Sequence, residues 1–492
     1  MGRVIASKFE VQWNGTDWSD ESAYLHEATG SVKLAPAASS LFASRGTADS
    51  LSVTLFDADR RFNPLKSGGA LYASLSGGGA YHREARLSVQ VDGGAWVRIF
   101  TGVLKLPKET SPGANEAGLI TFAVRSMEER LLNSRQSTDI DEMFVLQNQD
   151  EGTLIEYLLD AAGVSTLDIQ CDAGLFRIPY TWMDEESLID ELWQIAAACG
   201  GRFYVDIDGQ FCYENASHWL SGSRHTASQQ TYTTDDYKRL NILLEDADLF
   251  SDVTVVTASR FAGPVGRVWA PDSPVIVPAN STKVVTAAFR QPLACVEGTL
   301  SYSLVTHGGV RVSSGVSVGT NWYAQRAIIT IVNSNAFAVV LQQASITGPQ
   351  LVGGNQHEEV FESAHSFWTG RKRRARRFSG NAYIQLAEQA ATLAQMGGEW
   401  SQTPRLQYQL LNAIGNPERR LGDLVTISNP IMFPDGSRTG FITGLSFKLD
   451  STGFTHTSID CIDASTIYPY ASSPGYFVIG TSLLNGTHKV FY

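Results

Sequence analysis

The sequence has few cysteines and none of the spacings that bind metals or build disulfide frameworks. The five cysteines are Cys171, Cys199, Cys212, Cys295 and Cys461. They are scattered, odd in number and never form a C-x-x-C pair, which argues against a zinc knuckle and against a disulfide-stapled fold. The simplest interpretation is that the thiols stay reduced and that the chain folds in the cytosol.

Long apolar runs are also missing. No stretch reaches the roughly 18 apolar residues that a membrane helix requires. Residues 1–18 lack the apolar run of a signal peptide. We therefore expect a protein without a membrane span, assembled in the compartment where it is made.

Charge is scarce and mostly negative. Charged residues make up 18% of the 492 residues, and the net charge is −12. This balance argues against nucleic-acid binding over the whole surface but leaves room for a local basic site. The 44 glycines favour strands and turns over long solvated helices. The length predicts roughly three to four domains of about 150 residues each.

Residues 50–104 alternate apolar and polar side chains in short stretches separated by turns. The first stretch is Leu51–Leu55, and a second runs over Leu87–Val91. Asp92-Gly93 follows, a pair that tolerates positive φ and therefore predicts a hairpin leading back into Trp96–Thr101. The pattern predicts a chain of short strands forming a small barrel built for packing rather than for catalysis.

The next region changes to helical periodicity. Residues 153–162 are amphipathic and are followed by Gly163, a typical C-cap glycine. The acidic triplet 184–186 is expected to open a second helix, because carboxylates are stabilised at the positive end of the helix dipole. Its apolar stripe runs over 188–199, and a tight hairpin is expected at 203–213.

Residues from about 251 to 370 are rich in Val, Thr and Ser, which predicts an inserted β-sandwich. Behind it, residues 383–396 form an alanine-rich pattern that predicts a helix ending at Gly397-Gly398. Strand patterns return over residues 406–462.

These patterns predict a mainly β fold with an α+β part. The expected domains are a first small β-barrel (1–135), a helix-hairpin α+β domain (136–250), an inserted β-sandwich (251–375), a second small β-barrel with its preceding helix (376–470) and a C-terminal arm (471–492). A single continuous sheet joining the two ends of the chain would contradict the arrangement of two sibling barrels.

Two motifs resemble catalytic or metal sites without meeting their requirements. Residues 315–319 match G-x-S-x-G, but a nucleophile elbow needs a following helix and here both flanks alternate as strands. His357-Glu358-Glu359 with Glu362 and His365 is not H-E-x-x-H, because Phe361 occupies the second histidine position. A solvated linker is the better interpretation of that acidic stretch.

Two acidic clusters have structural explanations as well. Asp206 and Asp208 before Gly209 resemble the start of a calcium loop, but the later ligands are absent and a hairpin explains the pair. The triplet 184–186 could supply paired carboxylates for glycoside hydrolysis, yet it already serves as a helix start. Without a Walker loop or dinucleotide fingerprint, we expect no catalytic, cofactor-binding or metal-binding residues.

One basic segment is the strongest charge signal. Its residues are Arg371, Lys372, Arg373, Arg374, Arg376 and Arg377. A mobile, solvated linker explains such a run. The alternative is a partner-binding segment that contacts nucleic acid or an acidic neighbour, for which an acidic copy of the same chain would serve.

Three stretches resemble the tail-hub, or baseplate-hub, proteins of tailed bacteriophages. The first is residues 50–104, with RRFNPL, LYASL and FTGVL. The second is residues 188–215, LIDELWQIAAACGGRFYVDIDGQFCYEN. The third comprises RLGDLVTISNP at 420–430 and GFITGLSFKLD at 440–450. The resemblance covers most of residues 40–465, while the insertion from about 260 to 370 and the end beyond 470 match poorly.

The resemblance implies a structural role. Such hubs form a homotrimer in which two similar barrels per chain make a pseudo-sixfold ring. The ring joins the tail tube or distal tail protein to the tip fibre, and DNA passes through its centre without specific binding. The implied location is the tail tip of the virion, assembled in the bacterial cytoplasm. An acidic channel wall would repel DNA and let it slide.

Two other functions stay open. The insertion could recognise a host glycan or receptor at the tail tip. An enzyme acting on cell-wall polysaccharide is a further alternative, for which Glu185 and Glu186 would supply the carboxylates.

Overall fold

The computed structural model describes most of the chain. The described residues are 3–36, 44–47, 49–57, 59–76, 83–109, 118–132, 135–137, 145–182, 184–245, 249–289 and 294–464. The arm expected at 471–492 lies outside them. Strands dominate, which confirms a mainly β fold. None of the helices in the described part has the length and apolarity needed to cross a membrane.

The first part of the chain supplies strands and two short helices. They are β1 (Ile5–Val11), β2 (Ser19–Asp20), β3 (Leu25–Pro36), β4 (Ser44–Gly46), β5 (Ser50–Phe56), α1 (Ala70–Ser76), β6 (Arg83–Val91), β7 (Trp96–Leu104), β8 (Lys108–Glu109), β9 (Leu119–Ser126) and α2 (Glu129–Leu132).

Helices and strands mix in the second part. They are β10 (Arg135–Ser137), β11 (Leu146–Asp150), α3 (Glu151–Ala161), β12 (Ile169–Cys171), β13 (Arg177–Thr181), β14 (Asp184–Ser187), α4 (Leu188–Ala198), β15 (Arg202–Val205), β16 (Phe211–Glu214), α5 (Ser223–Thr226), β17 (Thr231–Tyr232) and β18 (Arg239–Glu245).

The remainder is again mostly β. Its elements are β19 (Asp252–Val256), β20 (Arg260–Trp269), β21 (Val275–Val277), β22 (Ser281–Ala288), β23 (Thr299–Thr306), β24 (Val316–Trp322), β25 (Arg326–Asn333), β26 (Val339–Gly353), β27 (Glu358–Glu362), β28 (Ala375–Phe378), α6 (Ala387–Ser401), β29 (Arg405–Ile414), β30 (Leu424–Ser428), β31 (Ser437–Asp450) and β32 (Gly453–Asp463).

Eight strands from both ends of the chain form one antiparallel sheet, called the wall below. Their order is β18, β29, β32, β31, β3, β5, β9 and β8, and β9 also pairs with β7, through which the sheet continues into β6 and β1. The two ends of the chain meet in the middle of the wall, where residues 28–33 of β3 pair with residues 444–449 of β31. Strand β3 therefore has a partner on each edge, β5 from its own end of the chain and β31 from the other.

The two separate closed barrels expected from the sequence are not confirmed. Within the described residues, strands of both ends belong to one hydrogen-bonded network of 18 strands. They also share one hydrophobic core, in which Val32 and Leu51 from the first end belong to the same cluster as Tyr408 and Leu445 from the second. The two ends are thus one cooperative unit, and the edges that were expected to close each barrel instead join the segments to each other.

Helix α3 and the hairpin β15–β16 lie where the sequence predicts them. The carboxylate of Asp150 caps α3 by accepting the Thr153 N–H at 3.0 Å, and Gly163 follows the helix with a φ of 77°. Gly209 makes the hairpin turn with a φ of 87°. Gly163 and Gly209 have positive φ angles, which favour glycine. The local sequence was therefore sufficient to predict the end of α3 and the hairpin turn.

Two helix predictions need correction, and one helix was not predicted. Residues 184–187 form β14 because they pair with β10, so α4 begins only at Leu188. LYASL, to which the sequence analysis assigned no element, lies in α1. Helix α6 begins at Ala387 and continues through Gly397-Gly398 to Ser401. A side chain at Gly398 would overlap the ring of Phe361, so this glycine permits close packing of β27 and does not end the helix.

The insertion consists of two sheets around a shared core, to which Val145 from the preceding part of the chain also belongs. Strands β20, β21 and β23 pair with β26, and β22 and β24 pair with β25. Val277, Ile329 and Ile346 lie in the shared core. The flanking strands β19, β27 and β28 form a separate sheet that packs against α6, so the sandwich strands themselves run from β20 to β26.

The insertion enters and leaves the rest of the chain at adjacent strands. Val256, the last residue of β19, pairs with Glu358, the first residue of β27, and Arg260 pairs with Gly353 just inside the insertion. Neighbouring entry and exit points are typical of inserted domains that can be removed without disturbing the host.

Excision of residues 258–356, with an Asn-Gly turn in their place, is therefore expected to leave the remaining sheets folded. Hydrogen–deuterium exchange should give unchanged protection for β3, β31 and β32. As a control, excision of residues 316–333 alone removes β24 and β25 and should therefore unfold the sandwich. Loss of protection in β31 after the full excision would contradict an independent insertion.

Candidate functional site: the polar face of the wall

The face of the wall that points away from the core is lined by small polar side chains. One row of directly paired residues crosses four strands and consists of Ser458, Ser446, Ser31 and Ser50. The next row carries Thr455, Lys448, Thr29 and Ser52. Directly opposed residues have Cβ atoms about 4.5–5.5 Å apart, so each row is continuous across the two ends of the chain.

A hydrogen-bonded chain of side chains crosses the junction at the centre of the wall. Asn241 Nδ2 donates to Gln409 Oε1 at 3.0 Å, and Gln409 Nε2 donates to Asp460 Oδ1 at 3.0 Å. Lys33 Nζ, from the other end of the chain, donates to Asp460 Oδ2 at 2.9 Å. Gly444 lies between these two residues in the register, and a Cβ there would be 3.0 Å from Asp460 Oδ2.

These contacts offset the charges of the two lysines near the centre of the face, while the serine row is flanked by exposed Arg125 and Arg239. Burial acts to raise the pKa of Asp460, but hydrogen bonds from Ser458, Lys33 and Gln409 outweigh it and lower the pKa below the ordinary value. The ionised carboxylate offsets the charge of Lys33. Lys448 is likewise paired, with its Nζ 2.9 Å from Asp450 Oδ2.

The β18 edge of the wall exposes apolar side chains, whereas β8 at the other edge consists of Lys108 and Glu109. Within the described residues, β18 pairs only with β29 and β8 only with β9. Leu243 and Leu244 of β18 are 43% and 61% exposed, and Leu106, two residues before β8, is 63% exposed. Exposed apolar strand edges are templates for pairing with another strand.

A buried pair of carboxyl groups lies where the first β segment meets β15. Asp49 and Glu128 are only 4% and 5% exposed. Burial raises the pKa of Asp49 to about 7, and burial together with the charge of Asp49 raises the pKa of Glu128 to about 8. Raised carboxyl pKa values are common in active sites. Here both groups are enclosed, so the pair affects stability rather than chemistry.

A cavity of about 640 Å³ separates the α+β part from β30 and its preceding loop. His218 Nδ1 lies 2.8 Å from Asp172 Oδ2 on one side. On the other, Arg224 donates twice to the buried Asp423, at 2.7 and 2.9 Å, and His225 Nδ1 lies 2.7 Å from the Gly422 carbonyl.

These polar groups connect two parts of the chain. Burial opposes protonation of His218, but the hydrogen bond with Asp172 and the charge of Glu214 raise its pKa. Among the described residues, no three His, Cys, Asp or Glu side chains are grouped so that they could hold a metal ion. The ion pair between Arg224 and Asp423 holds α5 against the turn before β30, so we assign it a structural role.

The basic segment lies at an exposed sheet edge and is partly neutralised by its own chain. Strand β28 pairs in parallel with β19. Arg373 Nε donates to Asp252 Oδ1 at 3.0 Å, and Arg377 donates to Glu358 Oε1 at 2.6 Å. Further ring contacts are Arg371 over Phe367, and Arg374 and Arg376 over Phe250. Lys372 is exposed. Partner binding by this segment stays a prediction.

The remaining motifs occupy ordinary structural positions. Residues 315–319 run into strand β24, whose alternation the sequence indicated. His357 Nε2 lies 2.6 Å from Glu359 Oε1 at the surface. Asp206 Oδ1 accepts the N–H groups of Asp208 and Gln210 and thereby shapes the hairpin turn.

The polar face could have been recognised in the sequence from the hydroxyl side chains at outward strand positions, but the sequence analysis did not consider them. Outward positions of wall strands are usually filled by lysine and glutamate when they simply face water. Here β5 reads Ser-Leu-Ser-Val-Thr-Leu-Phe, with hydroxyl side chains at outward positions. The same choice recurs at Thr29 and Ser31 of β3 and at Ser446 of β31. Only the register shows that these residues form shared rows.

Comparisons with known proteins give structural matches only. No protein-family model matches the chain, and no curated protein matches its sequence. Among solved structures, the chain is similar to the 43 kDa tail protein of prophage MuSo2 from Shewanella oneidensis, with 13% identity, a TM-score of 0.47 and coverage of 94% of this chain and 100% of that one.

Two further solved structures are of the same kind. The tail protein from Neisseria meningitidis MC58 has 10% identity, a TM-score of 0.47 and coverage of 94% of this chain and 98% of that one. The E. coli c3393 protein has 8% identity, a TM-score of 0.39 and coverage of 89% and 73%. It is described as a type VI secretion component similar to the T4 tail proteins gp27 and gp5. All three are tail proteins or are described as similar to them.

Proposed function

We propose that this chain is a structural, non-enzymatic hub subunit of a phage tail tip or baseplate, and that three copies form a ring around the path of DNA. The observation that carries the proposal is the wall, with its continuous polar face and its exposed apolar edge at β18. The sequence resemblance to tail hubs supports the same conclusion, because residues 420–430 contain β30 and residues 440–450 belong to β31, which pairs with β3 in the wall.

The strand directions of the wall suit a ring. Each of the seven pairings is antiparallel, so the first strand, β18, and the eighth, β8, run in opposite directions. Copies placed side by side around an axis along the strands can therefore continue the antiparallel alternation. Such a head-to-tail interface closes into a ring when the rotation per copy divides a full turn.

The proposed pseudo-sixfold symmetry rests on the sequence resemblance to tail hubs. Each copy would contribute two β segments, which meet edge to edge at β3 and β31. Three copies would place six such segments around the axis. A ring of this kind fits the proposed task of joining a sixfold tail tube or distal tail protein to a threefold tip fibre.

The chemistry of the polar face fits a surface along which DNA slides. Protein binding to DNA is dominated by cations that neutralise phosphates. The face offers serine and threonine rows, and its central cations, Lys33 and Lys448, are paired with carboxylates. The sequence interpretation expected an acidic channel wall. We now propose that only the centre of the wall is nearly neutral, where small hydroxyl groups neither hold nor strongly repel the phosphates, and that Arg125 and Arg239 lie at its margins.

The insertion gives a second candidate function. Its sheet β22–β25–β24 exposes Val284 and Val332, two apolar positions on a sheet that has its own core beneath it. We propose it as the part that would contact a host glycan or receptor, with the basic segment as a contact for an acidic neighbour. Both roles are compatible with a virion location and with assembly in the bacterial cytoplasm.

Native mass spectrometry and negative-stain microscopy of the full chain test the hub proposal. A threefold particle with a central opening is expected. Leu106→Lys removes an exposed apolar side chain beside β8 and should shift the particle toward monomer, because the interface would lose its apolar contact next to the charged pair Lys108-Glu109. Leu167→Lys, at an exposed leucine outside the wall, is the matched control. A chain that stays monomeric at the highest attainable concentration would overturn the proposal.

A further inference from the structure

A polar groove lies between the outer face of β1, β6 and β7 and the tip of the β15–β16 hairpin. Its volume is about 620 Å³, within the range of roughly 300–1,000 Å³ that is typical of small-molecule sites. Lys8, Ser88 and Arg98 are paired across the three strands and form one side. Asp208 and Gln210 of the hairpin form the other side. The space is called the Trp96 groove below, and none of its lining residues belongs to the insertion.

Trp96 supplies the one large apolar surface of the groove. Its side chain is 47% exposed, although tryptophan is usually largely buried. Trp96 begins β7 directly after a turn that side chains hold in place. Gln90 Nε2 donates to the Gly94 carbonyl at 2.6 Å, and Asp92 Oδ1 accepts the Val4 N–H at 2.8 Å. The indole is therefore presented from a backbone of fixed shape.

The hairpin side of the groove is fixed as well. Asp206 Oδ1 accepts the N–H groups of Asp208 and Gln210 at 2.9 Å each. The side chain of Gln210 accepts a hydrogen bond from Gln170 and donates to the Leu167 carbonyl at 3.2 Å. Both sides are thus held by contacts within the chain, as in binding sites that are largely formed before a ligand arrives.

The charges of the groove nearly balance. Its lining carries four basic and three acidic side chains. Lys8 and Arg86 both pair with Glu10, at 2.7 Å each. A strongly anionic ligand would meet the carboxylates of Asp168 and Asp208, and a strongly cationic one would meet guanidinium groups. The groove therefore favours a ligand without net charge.

Several charged groups retain hydrogen-bonding capacity for such a ligand. Arg98 Nε lies 3.9 Å from Asp208 Oδ1, and Arg420 Nη2 lies 3.9 Å from Asp208 Oδ2. These separations exceed the 2.7–3.2 Å of a hydrogen bond, so the ion pairs are loose. Asp168 is exposed in the same lining. Donors and acceptors thus stand side by side, as neighbouring hydroxyl groups require, because each hydroxyl both donates and accepts.

We propose that the Trp96 groove binds a neutral saccharide. An apolar C–H face of one sugar ring would lie on the Trp96 indole, and its hydroxyl groups would bond to Asp168, Asp208 and Arg98. Sites for other small molecules are lined mostly by apolar side chains, whereas this lining is polar apart from Trp96 and Val97. A sugar combines one apolar face with many hydroxyl groups and matches that lining. The site is complete in one copy of the chain and does not depend on the proposed ring.

Glycan-array binding by the full chain, followed by saturation-transfer NMR with each neutral oligosaccharide that binds, tests the proposal. Saturation should be strongest at the C–H protons of one sugar face. Trp96→Ala should weaken binding roughly tenfold or more, because truncating an aromatic anchor removes most of its contact. Trp96→Phe should restore part of the loss. Phe337→Ala is the matched control, since Phe337 is also 47% exposed but lies in the insertion.

Four outcomes would overturn the proposal. The first is that the full chain binds no saccharide, and the second is that Phe337→Ala weakens binding while Trp96→Ala does not. The third is binding of acidic saccharides only, weakened by salt, which would exclude a neutral ligand. The fourth is that Trp96→Ala reduces the mass of the native particle without changing saccharide binding, which would identify a contact between proteins. A chain that binds sugar through Trp96 but stays monomeric would contradict the hub proposal alone.

Discussion

Replacing Glu128 with glutamine is expected to stabilise the protein at pH 8 by on the order of 4 kcal/mol and to change little at pH 4. Glu128 is buried, and its pKa is raised from 4.5 to about 8 by burial and by the charge of Asp49. The folded state therefore holds this proton more tightly than the unfolded chain does. Stability contributed by the protonated group is lost progressively as the pH rises from about 4.5 to about 8.

Thermal unfolding of both proteins at pH 4, 6 and 8 measures the effect. The difference in midpoint should grow with pH, because glutamine does not ionise and keeps an oxygen that can accept a hydrogen bond. Glu156→Gln, on the exposed side of α3, is the control and should not change the pH dependence. A variant that is less stable than the parent at pH 8 would contradict the explanation.

Replacing Gly30 with valine is expected to destabilise the wall by about 3 kcal/mol, since overpacked cores typically lose this much or slightly less. Gly30 pairs with Phe447 across the junction between the two ends of the chain. A Cβ at Gly30 would lie 2.5 Å from Cζ of the Phe447 ring, which is itself buried. The valine must therefore displace the ring or separate β3 from β31.

A double variant tests whether the clash with the Phe447 ring, rather than any side chain at position 30, causes the loss of stability. Gly30→Ala combined with Phe447→Leu removes the atoms that collide and should recover most of the stability lost by Gly30→Ala alone. Gly319→Val is the matched control, because Gly319 also lies in a strand and a Cβ there would meet no atom within 4 Å. Measured midpoints for Gly30→Val and Gly319→Val that coincide would refute the role of the ring.

Local features were predictable from the sequence wherever short-range physics decides them. The hairpins at Asp92-Gly93 and Asp208-Gly209 need positive φ, and the structure places Asp92, Gly93 and Gly209 there. The strands of residues 406–462 follow from alternation, and β29 to β32 lie at those positions. These outcomes depend on residues only a few positions apart.

Features decided by distant partners were not predictable. The triplet 184–186 has a good helix-start composition, but pairing with β10 draws it into a strand. Gly397-Gly398 resembles a helix end, yet the ring of Phe361 explains why a glycine is needed there. The serine rows depend on pairing between β3 and β31, which no local pattern encodes. The candidate site was missed because its residues become neighbours only through that pairing.

The junction at the centre of the wall also determines when the molecule can finish folding. Ala28 pairs with Leu449, so the second neighbour of β3 is synthesised long after β3 itself. Domains that fold during synthesis do so from the N-terminus, and pairings between distant residues form slowly. Until β31 leaves the ribosome, the nascent chain has an unfilled groove beside β3. Several chains on one messenger RNA could exchange this strand during that interval, which makes it the period in which the protein most needs protection from its own copies.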